Sequence, residues 1–249
     1  MLYTFIKHLV SGLLTLINGR PQFHHKDRLP SGSYVLVAPH RTWLDPVLYA
    51  LAAYPKRFSF MAKKELFQNR FLKWLITKLN AFPVDRQNPG PSAIKVPVKI
   101  LKKGELSTII FPSGTRHSQE LKNGAFVIAK LANVPIVPAV YQGPLSFKAL
   151  FSRRKVQINF GEPIVIDRKT RMNDENLAQL EKDLNAAFAA LDRELDPTFQ
   201  YVDMAEPSHT KKSVQITDAF YFSIDSSLRS SFDEAFFVMA FAPSEASLF

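Results

Sequence analysis

The stretch from Tyr34 to Pro46, YVLVAPHRTWLDP, constrains the fold more than any other part of the chain. A short apolar run bounded by Gly32 and Pro39 predicts a buried strand. Asp45 followed by Pro46 predicts the start of a helix, with the proline at its first position. A strand that feeds a helix across a short turn belongs to α/β architecture, where ligands gather beyond the carboxyl ends of strands. His40 falls at such an end. Asp45, at the helix mouth, can hold one imidazole nitrogen as N–H and leave the other to accept a proton. A histidine that merely caps a strand end would look the same, so the pair needs support from elsewhere in the chain.

Two further strand ends supply it. AFPVDR (81–86) and IIFPSGTR (109–116) each read as an apolar strand followed by a turn that delivers an arginine, Arg86 and Arg116. VPIVPAV (134–140) reads as another short strand. The planar guanidinium fork gives phosphate two parallel charge-assisted hydrogen bonds. A base at one strand end and guanidinium groups at two others suit an enzyme that activates a hydroxyl on a phosphorylated substrate. The competing reading makes these arginines surface ion-pair partners.

The blocks HRTWLD (40–45), AKKEL (62–66), AFPVDR (81–86), NPGPSAIK (88–95), FPSGTR (111–116), VPIVPA (134–139) and FGEPI (160–164) follow one another in an order similar to that of a known family. On these residues the chain resembles the glycerolipid acyltransferases, most closely the bacterial 1-acylglycerol-3-phosphate acyltransferases. The resemblance implies an α/β domain over residues 21–200, with a central mixed sheet flanked by helices. It implies transfer of a fatty acyl group from a thioester to the 2-hydroxyl of a 1-acyl-sn-glycerol-3-phosphate, a lysophosphatidic acid, giving phosphatidic acid. His40 is then the general base and Asp45 the carboxylate that orients it. Arg86, Arg116 and the backbone around Gly114 and Thr115 form a phosphate clamp, to which Lys63 adds a further contact unless it is an ordinary solvated lysine. Acyl-coenzyme A or acyl-carrier protein is the co-substrate, and no metal or tightly held cofactor is expected. Two positions depart from the family: Pro39 stands where Asn is usual, and Ser113 where Glu is usual. The family's acidic residue is assigned to the phosphate and glycerol site, so glycerol-3-phosphate or another lysolipid stays open as an alternative acceptor.

Other chemistries are poorly supported. Ser113 lacks the Gly-x-Ser-x-Gly elbow of a serine nucleophile. His24 and His25 have only Asp27 nearby, too little for a metal, and the pair reads as a polar loop. The absence of cysteine excludes disulfides, thiolate metal sites and an acyl-cysteine intermediate. Residues 1–200 carry 29 Lys and Arg against 15 Asp and Glu, whereas residues 201–249 carry 3 against 7. A body this basic attracts anionic lipid or nucleic acid alike. It carries no Walker loop, dinucleotide turn, zinc-finger spacing or RNA-recognition signature, which favours a membrane over nucleic acid and leaves a non-catalytic basic binding protein as the rival class.

Residues 1–18 are apolar but interrupted by Lys7 and His8, short of the ~20 residues a spanning helix needs. They read either as an interfacial helix on an anionic membrane surface, at the cytoplasmic face, or as an amphipathic helix packed on the domain. Helices are also expected over 46–53, 63–79, 91–103 (kinked at Pro97), 124–132 and from Asn173 onward. The 63–79 pattern, with Phe71 and Trp74 among Lys and Arg, fits a membrane-surface helix and a core helix equally well. Further strands are expected at 58–62 and 156–160. Residues 201–249 resemble nothing in the family and form a C-terminal tail of unknown role with an apolar run at 235–242, open to reading as a second membrane-touching patch, a loosely ordered tail or a sequence altered by a reading-frame event.

Overall fold

In the computed structural model, residues 2–42, 44–85, 90–112, 123–145, 148–152 and 154–199 are described. The centre is a seven-stranded sheet in the order β1-β7-β6-β2-β5-β3-β4. Its strands are β1 (Gln22–His24), β2 (Val35–Val37), β3 (Phe58–Lys63), β4 (Ala81–Val84), β5 (Ser107–Ile110), β6 (Ile136–Gln142) and β7 (Gln157–Phe160). Strands β2 to β6 are mutually parallel, so their carboxyl ends share one edge. β7 runs antiparallel to β6, and β1 is parallel to β7. The sheet is therefore mixed, as expected.

Side chains on a strand alternate between the two faces of a sheet. Here both faces are covered: β2, β5 and β6 are buried along their whole length, and their polar residues Ser107, Thr108 and Gln142 are hydrogen-bonded. Tyr34, Leu36 and Ala38 join a cluster with Leu48, Tyr49, Phe58 and Tyr141, to which Leu14 of α1 (Leu2–Asn18) and α2 (Asp45–Ala52) contribute. Val35 and Val37 join the opposite cluster, with Phe126 and Ile128 of α5 (Gly124–Ala132) and Leu184, Phe188 and Leu191 of α6 (Asp174–Leu195). Asn173 caps α6 by accepting a hydrogen bond from the Asn176 N–H. Gly161 allows β7 to close on its neighbours, because a Cβ there would lie 2.8 Å from Pro138 Cγ and 3.1 Å from Leu191 Cδ1.

Several expected elements move. The helix expected over 63–79 is instead a strand through Lys63, a 3-10 turn at Lys64–Phe67 and α3 (Arg70–Lys78). Pairing of Lys63 with Val84 holds the first part extended. The Asn69 side chain accepts from the Phe71 and Leu72 N–H groups and so starts the helix late. The polar loop expected at His24 is the end of β1, with His24 paired to Asn159. Three residues are too few to show a strand period. His25 lies outside the strand, 3.5 Å from Glu194. Asp45 is the first residue of α2 rather than the residue before it. α4 (Ser92–Lys102) continues through Pro97, and Gly104 follows it at φ 79°. No described helix is long and apolar enough to cross a membrane. The expectations for 201–249 lie outside the described residues.

Candidate active site

The turn after β2 carries His40, and α2 begins beside it. His40 Nδ1 lies 2.9 Å from Asp45 Oδ2. The same oxygen accepts from the backbone N–H of Arg41 at 2.6 Å and of Thr42 at 2.9 Å. This convergence follows from the local sequence: Arg41 and Thr42, just after His40, aim their backbone N–H groups at the carboxylate at the helix start. The Asp45 side chain is 0% exposed and that of His40 16%. Burial raises the Asp45 carboxyl above its ordinary pKa, opposed by His40 and the two backbone donors. Its Oδ1 has no hydrogen-bond partner among the described residues.

With an acidic oxygen at Nδ1, the favoured neutral tautomer carries its proton there, and Nε2 is the acceptor. The ring is held flat by Phe111, whose centroid is 4.4 Å away at an interplanar angle of 22°. Phe111 follows β5, the neighbour of β2, so strand order brings the two rings together. Lys63 ends β3, at the same edge of the sheet. Beyond β4, Asp85 accepts from Lys64 Nζ at 2.5 Å. Arg86, Gly114, Thr115 and Arg116, and with them Ser113, lie outside the described residues. Among the described residues no group of three or more His, Cys, Asp or Glu could hold a metal ion.

Arg41 was not singled out by its sequence. Its Nη1 donates to Tyr141 O at 2.6 Å and to Asp192 Oδ1 at 2.8 Å, and its Nη2 donates to Asp192 Oδ2. Burial opposes the guanidinium charge, but the hydrogen bonds and charge of Asp192, with Tyr49 and Asp45 nearby, outweigh it and leave Arg41 more firmly protonated than usual. Asp192 lies on α6, far from residue 41 in the chain, and no local pattern connects them. The Phe111 stack was equally hidden, since it depends on which strands become neighbours.

A family model described as Acyltransferase matches residues 20–142. A 1-acyl-sn-glycerol-3-phosphate acyltransferase of Streptococcus pneumoniae is 50% identical over 196 residues, covering 78% of this chain and 74% of that protein. One from Bacillus subtilis is 41% identical over 199 residues, covering 78% of this chain and 99% of that protein. The crystal structure of PlsC, a 1-acyl-sn-glycerophosphate acyltransferase from Thermotoga maritima, superposes with a TM-score of 0.59 at 21% identity, covering 80% of this chain and 81% of that one. That likeness shows the fold. The ordered sequence blocks, the mixed sheet and identities of this size over most of the chain have one source: the protein belongs to the glycerolipid acyltransferase family.

Proposed function

We propose that the protein transfers a fatty acyl group from an acyl thioester to the 2-hydroxyl of 1-acyl-sn-glycerol-3-phosphate, forming phosphatidic acid. The observation that carries this reading is the His40–Asp45 contact at 2.9 Å, at the edge of the sheet where β2 to β6 end. His40 Nε2 takes the proton of the acceptor hydroxyl as its oxygen attacks the thioester carbonyl carbon. The tetrahedral intermediate collapses by breaking the carbon–sulfur bond. The leaving thiolate, of coenzyme A or an acyl-carrier protein, recovers the proton from the imidazolium. Asp45 keeps the ring in the tautomer this needs and stabilises the imidazolium as it forms. Arg86, Arg116, Lys63 and the backbone at Gly114 and Thr115 bind the phosphate and hold the hydroxyl in attack geometry, a source of much of the rate. No acyl-enzyme is needed, so no side-chain nucleophile is required.

Substrate and product are membrane lipids, and α1 suits work at a lipid surface. Phe5, Leu9, Leu13 and Leu16 form an outward stripe at helical spacing, with Phe5 64% and Leu16 84% exposed. On an anionic, cytoplasmic leaflet that stripe would enter the headgroup region while the basic body meets the surface charge.

Acyl transfer from palmitoyl- and oleoyl-coenzyme A to lysophosphatidic acid in vesicles tests this, with His40→Ala in parallel. A positioned general base contributes about 10²–10⁴ in rate, and a loss of that size is the expected result. Transfer to glycerol-3-phosphate alone would move the assignment to that acceptor. Transfer to neither, with acyl-carrier protein also tried as donor, would overturn the reading.

A further inference from the structure

We propose that Asp192, on α6, is a positioning residue for the His40–Asp45 pair and acts through Arg41. The inference rests on the acyl-transfer reading above for its kinetic consequence, but its geometry stands independently. Residue 41 is held at both of its ends. Its backbone N–H donates to Asp45 Oδ2 at 2.6 Å, the oxygen that also faces His40 Nδ1. Its guanidinium spans Asp192 with both terminal nitrogens and reaches Tyr141 O, at the carboxyl end of β6. Asp192 is itself fixed, since Gln142 Nε2 donates to its Oδ1 at 3.1 Å and to its backbone oxygen at 2.9 Å. The turn bearing the base is thus tied on one side to α2, through Asp45, and on the other to β6 and α6, through Arg41.

An ion pair in this setting is an odd choice if stability is the only gain. The Arg41 side chain is 5% exposed and that of Asp192 14%, so both charges lose most of their hydration. Well-packed apolar residues of similar volume often stabilise a protein as much as such a pair or more. What the pair adds is direction: a bidentate fork sets both the position and the orientation of residue 41. A catalytic base displaced by ~1 Å can lose on the order of 10²-fold in rate. Leu184, Phe188 and Leu191 pack α6 into the core, and Gly161 lets Leu191 approach the end of β7, so the restraint is anchored in packed structure.

Four variants test the proposal in the full-length protein: Asp192→Asn, the apolar pair Arg41→Met with Asp192→Leu, His40→Ala, and His40→Ala combined with Asp192→Asn. The expected result for Asp192→Asn is a fall in kcat of about 10–100-fold, with KM for both substrates within about twofold. The apolar pair is expected to melt at or above the wild-type temperature yet show the same loss of kcat. In the His40→Ala background, Asp192→Asn should cost nothing further, because the residue acts through the base. A substrate-independent reading comes from the ¹⁵N-histidine spectrum, with the His40 signal identified by its loss in His40→Ala. The wild type should show the Nδ1–H tautomer, and both Asp192 variants a mixture of tautomers. A wild-type kcat in the apolar pair, or an undiminished effect of Asp192→Asn without His40, would overturn the proposal. If the wild type fails to acylate lysophosphatidic acid at all, the functional reading falls. The tautomer spectra would then decide on Asp192 alone, an unchanged tautomer in both variants overturning it.

Discussion

Helices α1 and α6 are both long and both amphipathic, yet they dispose of their apolar residues in opposite ways. α6 runs 22 residues, buries Leu184, Phe188 and Leu191, and turns Glu175, Lys182, Asp183 and Arg193 to water. α1 runs 17 residues and buries Ile6 and Leu14, but leaves Phe5, Leu9, Leu13 and Leu16 outside. Burying a side chain of this kind contributes roughly 1.5–3 kcal/mol. α6 has taken nearly all of that gain from the protein's own core. α1 has taken part of it and retains an apolar face suited to a lipid surface. The two helices also attach differently. α6 meets the site through Asp192, whereas α1 is held at its carboxyl end by Asn18, whose amide donates to the oxygens of Leu150 and Arg154 at 2.9 and 3.0 Å and accepts from Val156 N–H at 3.1 Å.

The contrast is open to attack at three points. Leu184→Ala should destabilise the protein by about 2–5 kcal/mol in a denaturant titration, the cost of a cavity in a closed core. A much smaller loss would mean that α6 is not the tightly packed partner described above. Asn18→Ala strips several hydrogen bonds from a buried amide and should cost about 1–3 kcal/mol. Hydrogen exchange should then show α1 opening ahead of the sheet, and uniform exchange would argue that α1 is integral to the core. The smallest effect on stability is expected from Phe5→Ser with Leu16→Ser, within about 0.5 kcal/mol per site because both are exposed. That double variant should nevertheless lose several-fold in sedimentation with anionic vesicles. Undiminished vesicle binding would remove α1 as the lipid-facing element.

Where apolar periodicity was strong, the chain could be read closely. The helix expected at 124–132 is α5, and the helix expected from Asn173 is α6, which begins at Asp174 with Asn173 as its cap. Local signals failed where tertiary pairing overrode them. Lys63 to Phe67 has helical spacing, but β4 offered the extended backbone a partner, and the helix waited for Asn69. β1 was missed because three residues carry no period and its partner, β7, lies far along the chain.

At the site, the residue types and their spacing in the sequence already specify a histidine at a strand end with an aspartate one turn on, because a short turn can bring them together in only a few ways. The ordered blocks also identify the family. The tertiary structure decided what lies around the pair: Phe111 stacked on the ring through the adjacency of β2 and β5, and Asp192 joined to Arg41 through the packing of α6 on β6. It decided equally that α6 closes its apolar stripe while α1 leaves one outside. The physical reason is the same in each case. Hydrogen-bonding and turn preferences act over a few residues and are written locally, whereas burial and ion pairing depend on which distant segments the sheet order makes neighbours.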